Sequence, residues 1–159
     1  MSLITSRDKQ YLRAIYLLNG ENEPVGPVKL AEMLGVSKVC AFQKMHRLQA
    51  LGYGDYSPHK GLLLNETALT IINHDVRKHH IVEAFLQKNT TLTHKEACQE
   101  ATNLTKSISE KLYDTIEQNT SLQISSCCGY SISRALSIDV LAKCPWMKRQ
   151  LRNGDVYES

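Results

Sequence analysis

The sequence lacks any apolar run approaching the roughly 18–20 residues that a membrane-spanning helix needs, so a transmembrane reading is excluded. The stretch from Met1 to Asp8 lacks a basic start followed by an apolar segment. No secretory signal is expected, and the chain is expected to be cytoplasmic. Charge of one sign is scarce too: 19 Lys and Arg face 16 Asp and Glu, a net of +3. A pI of about 8.6 permits a nucleic-acid partner without demanding one. There is no internal repeat. Five cysteines are an odd number for a chain with no export signal, and they read as reduced thiols rather than a disulfide framework. What remains is an ordinary globular composition, 42% hydrophobic and 22% charged, over 159 residues, enough for one domain or two small ones.

The charge is unevenly placed. Residues 1–64 carry eight Lys/Arg and five Asp/Glu, residues 65–118 carry six and eight, and residues 119–159 carry five and three. Four histidines (His74, His79, His80, His94) fall in the acidic middle. This split suits a polyanion-binding part joined to a ligand-binding or dimerising part, although segment charges this small also arise by scatter.

Hydrophobic periodicity organises the chain. Tyr11, Leu12, Ile15 and Leu18 form one helical stripe from about Arg7 to Asn19, closed by Asn19-Gly20. A turn-rich connection follows, then a short helix from Val28 to Leu34 with Val28, Leu30, Ala31 and Leu34 expected inward. Gly35 supplies the turn, and Ser37 can cap a helix to about Ala50, with Ala41, Met45, Leu48 and Leu51 at helical spacing. Tyr53–Tyr56 and Gly61–Leu64 read as short strands around a Ser57–Lys60 tip. Three further helices are expected: Glu66–Lys88 capped by Asn65, one opened by the Thr93–Glu96 capping box and running to about Leu104, and Ser107–Gln118. The tail from Asn119 is Ser/Cys-rich, then weakly helical from about Ser133 to Arg152.

The fold class expected is mainly α: a winged helix-turn-helix over residues 1–64, a helical dimerisation domain over 65–118, and a cysteine-containing extension over 119–159. Ala31 is small where two helices must cross, Gly35 makes the turn, and Met45 and Leu48 bury the back of the recognition helix. Its N-terminal part is then left to enter a major groove. Ser37, Lys38 and Val39 lie at the helix start, Gln43 can pair with a base edge, and Lys44, Arg47 and Lys60 can meet phosphates. Phe42, large for such a face, has two open readings: contact with a thymine methyl, or packing against the first helix. The same charges also suit a winged-helix scaffold used for protein contacts.

The residues Gln10–Tyr16, Leu30–Leu34, Arg77–His79, Glu83 and His94–Cys98 resemble the diphtheria toxin repressor family of iron- and manganese-dependent regulators, which includes the manganese transport regulator. The resemblance runs from about Ser6 to Gln118, roughly 70% of the chain. It implies a homodimer of winged helices on a palindromic operator in double-stranded DNA. It also implies two metal sites. The ancillary site, two His and a Glu, corresponds to His79, Glu83 and His94. The primary site of iron-type members (Met, Cys, Glu, His) corresponds to Gln10, Cys98, Ala101 and Thr102, where only the thiol is kept. Manganese-type members carry acids at first-helix positions that here hold Gln10 and Arg13.

His79 and Glu83 are four apart on one helix, and His94 and Cys98 four apart on the next. Where those faces meet, two imidazoles, a carboxylate and a thiolate converge on a divalent transition metal such as Fe2+, Mn2+ or Zn2+. The alternative is a helix-surface His79–Glu83 hydrogen bond beside a buried Cys98. His80 and Glu96 are neighbouring spares, and His46 and His74 are expected to be surface residues.

The tail is too short for the SH3-like domain of larger family members. Cys127, Cys128 and Cys144, with Cys98, could hold an iron–sulfur cluster, but their spacing matches no cluster motif. Cys40 at the recognition helix is either oxidation-sensitive or merely small. His94–Cys98 as a thiol catalyst lacks an oxyanion-stabilising element and an orienting third group, so the expectation is a regulator and not an enzyme. Three functional readings follow: a metal-responsive transcriptional regulator, most simply a repressor; a metal-independent or redox-responsive one; and a protein-interaction module.

Overall fold

The structure is a computed structural model and describes residues 3–120 together with Trp146. The expected C-terminal helix, Cys127, Cys128 and Cys144 lie outside the described residues. Two compact units divide between Ile72 and Asn73.

In the first unit, α1 (Ser6–Leu17) opens with a capping box: the Asp8 amide donates to Thr5 Oγ1 and the Thr5 amide to Asp8 Oδ2. Asn19, at φ 71°, turns the chain out of the helix. Next, α2 (Pro27–Leu34) begins with proline at its first position, where no amide is needed, and ends at Gly35 with φ 64°. Ser37 caps α3 (Lys38–Ala50) by accepting from the Cys40 amide at 3.1 Å. Strands β1 (Gly54–Ser57) and β2 (Gly61–Leu64) pair antiparallel with Asp55 opposite Leu63, forming the wing. Val25 bridges to Leu62 on the other side of β2. A Cβ at Gly61 would collide with the Val25 carbonyl, so that residue must be glycine. Tyr11, Leu12, Ile15, Leu30, Met45, Leu48 and Leu62 are fully buried in this unit.

The helix α4 (Glu66–Asn89) starts where Asn65 Oδ1 accepts from the Ala68 amide at 3.1 Å. Its Ala68 and Ile72 are buried and belong to the first unit, which therefore extends past the Leu64 boundary expected from the wing. The second unit holds the rest of α4, α5 (His94–Leu104) and α6 (Glu110–Asn119). Its core is Ile81, Val82, Ala84, Ala101, Tyr113 and Ile116. Arg77 donates to Glu117 at 2.9 Å and Lys78 to Glu110 at 2.8 Å, tying α4 to α6.

Two expectations shift. The last helix begins at Glu110, not Ser107, because Ser109 caps it by accepting from the Leu112 amide. Val28 is exposed rather than inward: it lies about 200° around α2 from Leu30 and falls off the buried stripe.

Candidate nucleic-acid interface and metal centre

The exposed start of α3 presents Ser37, Lys38, Val39 and Gln43, and the tip of the wing presents Lys60. Val39 is 64% exposed, unusually open for an aliphatic side chain. Lys44 and Arg47, which sequence reasoning grouped with these residues, point elsewhere. The Asp8 carboxylate is completely buried and accepts from Lys44 Nζ at 2.9 Å and from Arg47 Nε and Nη2, each at 3.1 Å. Burial alone would raise the Asp8 carboxyl. The Arg47 guanidinium, the Thr5 amide and the Lys44 ammonium together outweigh it and hold the group well below the usual carboxylate range. Two of the cations expected to face phosphate therefore neutralise a carboxylate of α1.

Phe42 is exposed at the surface of α3. It packs edge-on against His46 (centroids 4.4 Å) and against Tyr56 of β1 (5.8 Å), while His46 also lies 4.4 Å from Tyr56. These three rings join the recognition helix to the wing and fix their relative position. Cys40 is half-buried with Sγ 3.5 Å from the Tyr11 hydroxyl, whose pKa is pushed up by burial and by that thiol.

In the second unit His79, Glu83 and Cys98 converge, all three buried, with one ligand atom from each within 4.8 Å of the others. His79 Nε2 is 3.5 Å from Glu83 Oε2 and 3.5 Å from Cys98 Sγ. A tetrahedral ion with bonds of about 2.1–2.3 Å separates its ligand atoms by about 3.4–3.8 Å, so both separations from His79 and the donor set fit a zinc-type ion. His80 Nδ1 is 3.4 Å from the same Glu83 oxygen. His94, the fourth residue of the expected set, is exposed and stands further out. Its Nδ1 accepts from the Gln87 amide at 2.8 Å, and that amide also donates to Glu83 Oε1 at 3.2 Å. Glu96 is engaged in its capping box, and its carboxyl is lowered by hydrogen bonds from Thr93. His74 lies 3.6 Å from Glu110.

Sequence reasoning missed Asp8, the Phe42–His46–Tyr56 cluster, Gln87 and Trp146. The Trp146 indole stacks on the His79 ring at 4.2 Å and 14°, and its Nε1 donates to Thr102 Oγ1 at 3.0 Å. Asp8 had a signal in the Thr5-x-x-Asp8 capping pattern. A lone tryptophan was the only hint for Trp146.

Among the described residues no helix is long and apolar enough to cross a membrane. Residues 4–62 match the model of the iron dependent repressor N-terminal DNA-binding domain. An HTH-type transcriptional regulator of Aeropyrum pernix is 30% identical, with 80% of this chain and 83% of the relative covered. A hypothetical protein of Sulfolobus solfataricus has the same fold, with a TM-score of 0.71 at 20% identity over 82% of this chain and 99% of that one. The regulator ScaR, solved with bound Zn2+, superposes with a TM-score of 0.63 at 24% identity over 76% of this chain. The match spans 56% of ScaR. The chain belongs to the HTH-type, DNA-binding transcriptional regulators that carry the iron dependent repressor N-terminal domain.

Proposed function

We propose that the protein is a homodimeric, sequence-specific repressor of the metal-dependent kind, binding a palindromic operator and responding to one divalent transition metal held by His79, Glu83 and Cys98. The observation that carries this reading is the position of His79 Nε2, 3.5 Å from both a buried carboxylate oxygen and a buried thiol. An imidazole, a carboxylate and a thiol at these spacings each present one ligand atom to a common point. The thiol and the imidazole favour zinc or iron(II) over manganese, which prefers oxygen ligands. ScaR, a manganese-activated repressor also solved with Zn2+, supports a divalent metal without choosing between these ions.

Ser37, Lys38, Val39 and Gln43 enter the major groove, and Lys60 meets the backbone from the wing. A ligand can change DNA affinity only by favouring one protein conformation over another. Here the ion would act by drawing α4 and α5 together at the His79–Cys98 contact.

The test is selection from a random duplex pool with and without Zn2+ or Fe2+, under reducing conditions and at two salt concentrations. A palindromic sequence should emerge, with half-sites about 10 base pairs apart. Its affinity should rise with metal in the wild type but not in His79→Ala or Cys98→Ala. Absence of any enriched sequence sinks the operator reading, and enrichment that ignores metal sinks the metal response.

A further inference from the structure

Trp146 is the only tryptophan of the chain, and it is nearly buried against the proposed metal centre. Its indole lies face to face with the His79 imidazole, 4.2 Å away at 14°. The lone pair of a ring nitrogen lies in the ring plane, so a partner stacked on the face leaves His79 Nε2 directed at Glu83 and Cys98. The indole N–H is anchored as well. It donates to Thr102 Oγ1 at 3.0 Å, and the same hydroxyl donates to the Cys98 carbonyl at 2.8 Å. One side chain thus touches the ring that bears one ligand and, through Thr102, the backbone that bears another.

We propose that Trp146 is a positioning residue of the centre, and that its docking and the capture of a single metal ion by His79, Glu83 and Cys98 strengthen each other. The proposal rests on the metal reading above. The sign of the coupling follows from the electrostatics of the ring pair. An imidazole that ligates a cation becomes electron-poor, and the negative face of an indole attracts it more strongly than a neutral imidazole. Linkage requires the reverse as well, so a docked indole raises the affinity of the centre for the ion. The stacked ring also fixes the rotamer of His79 and keeps water from that side, as outer partners of metal-bound histidines do. A second ion beside Cys98 finds no acid or imidazole at Ala101 and Thr102, and the Thr102 hydroxyl is already taken by the indole.

Co2+ serves as the probe, titrated anaerobically into the reduced full chain. Thiolate-to-cobalt charge-transfer absorption reports Cys98, and tryptophan emission reports residue 146 alone. Both signals are expected to saturate together at one equivalent. Trp146→Ala should weaken cobalt binding by about 10-fold or more. Trp146→Phe, which keeps the ring face, should recover most of that loss. Thr102→Val, which removes the anchor at nearly constant volume, should fall between them, and it decides the matter if Trp146→Ala loses its helical circular dichroism. Wild-type cobalt affinity in Trp146→Phe, Thr102→Val and a folded Trp146→Ala overturns the coupling and leaves the metal centre standing. Two equivalents in the wild type overturn the single ion. A wild type without the charge-transfer band overturns the metal reading and the coupling together.

Discussion

The two units each bury a carboxylate completely, and the two are neutralised in different ways. Asp8 in the first unit is met by the ammonium of Lys44 and the guanidinium of Arg47. Glu83 in the second is faced by the rings of His79 and His80 and the amide of Gln87. An imidazole carries charge only when protonated, or lends its lone pair to a metal. The first arrangement is complete within the chain and holds α1 to α3. The second leaves room for its charge balance to change, which is what a sensing centre requires.

Removing Asp8 is the hardest blow to this comparison. Asp8→Ala deletes the carboxylate that pairs two cations and half of the capping box of α1. We expect a loss of about 2–4 kcal/mol in urea unfolding, below the full cost of breaking a buried pair because Lys44 and Arg47 retain partial access to water. A loss under 1 kcal/mol would mean the pair is no more than a surface contact. The pH dependence has a definite sign. With its pKa depressed in the folded state, Asp8 contributes stability that is present above the unfolded value near 4 and lost as pH falls below it. Between pH 7 and pH 3 the wild type should therefore lose more stability than Asp8→Asn, and equal losses would break the assignment.

This clamp also marks the limit of what the sequence can tell. Three helix starts were legible because caps are local: Ser37, Asn65 and Thr93 each accept from an amide three residues ahead. The wing was legible from its strand-turn-strand pattern, and Gly35 sits at the positive φ its turn position suggested. Lys44 and Arg47 looked like phosphate ligands because a helical face carries no mark of a partner 36 or more residues away. The His79–Glu83 spacing was legible for the same reason as the caps. That Cys98 rather than His94 completes the cluster depends on how deep each lies on α5, with Cys98 buried and His94 exposed in its first turn. Trp146 lies 44 residues from its hydrogen-bond partner Thr102, and no local pattern links the two.

DNA binding should separate the lysines that sequence reasoning grouped together. Lys38→Gln removes an exposed charge at the start of α3 and should lower the slope of log K against log salt by about 1. Lys44→Gln should leave that slope unchanged while costing about 1 kcal/mol of stability, because its charge is spent on Asp8. A Lys44→Gln variant that loses slope as Lys38→Gln does would show that Lys44 releases Asp8 when DNA arrives.

The finest distinction concerns His94. The family resemblance makes it a direct ligand, whereas the structure sets it two hydrogen bonds from Glu83, reached through Gln87. A ligand and a remote partner differ strongly in what their loss costs, since outer partners change metal affinity far less than the ligands they orient. Gln87→Ala removes the amide that holds Glu83 Oε1 and should weaken cobalt binding by about 10-fold. His94→Ala should then cost no more than about 3-fold, because Gln87 keeps its bond to Glu83 without it. A loss of about 100-fold on changing His94 would mean that the first turn of α5 swings inward around the ion. Glu83 would then be a carboxylate that two helices close upon, unlike Asp8, whose cations are already in place.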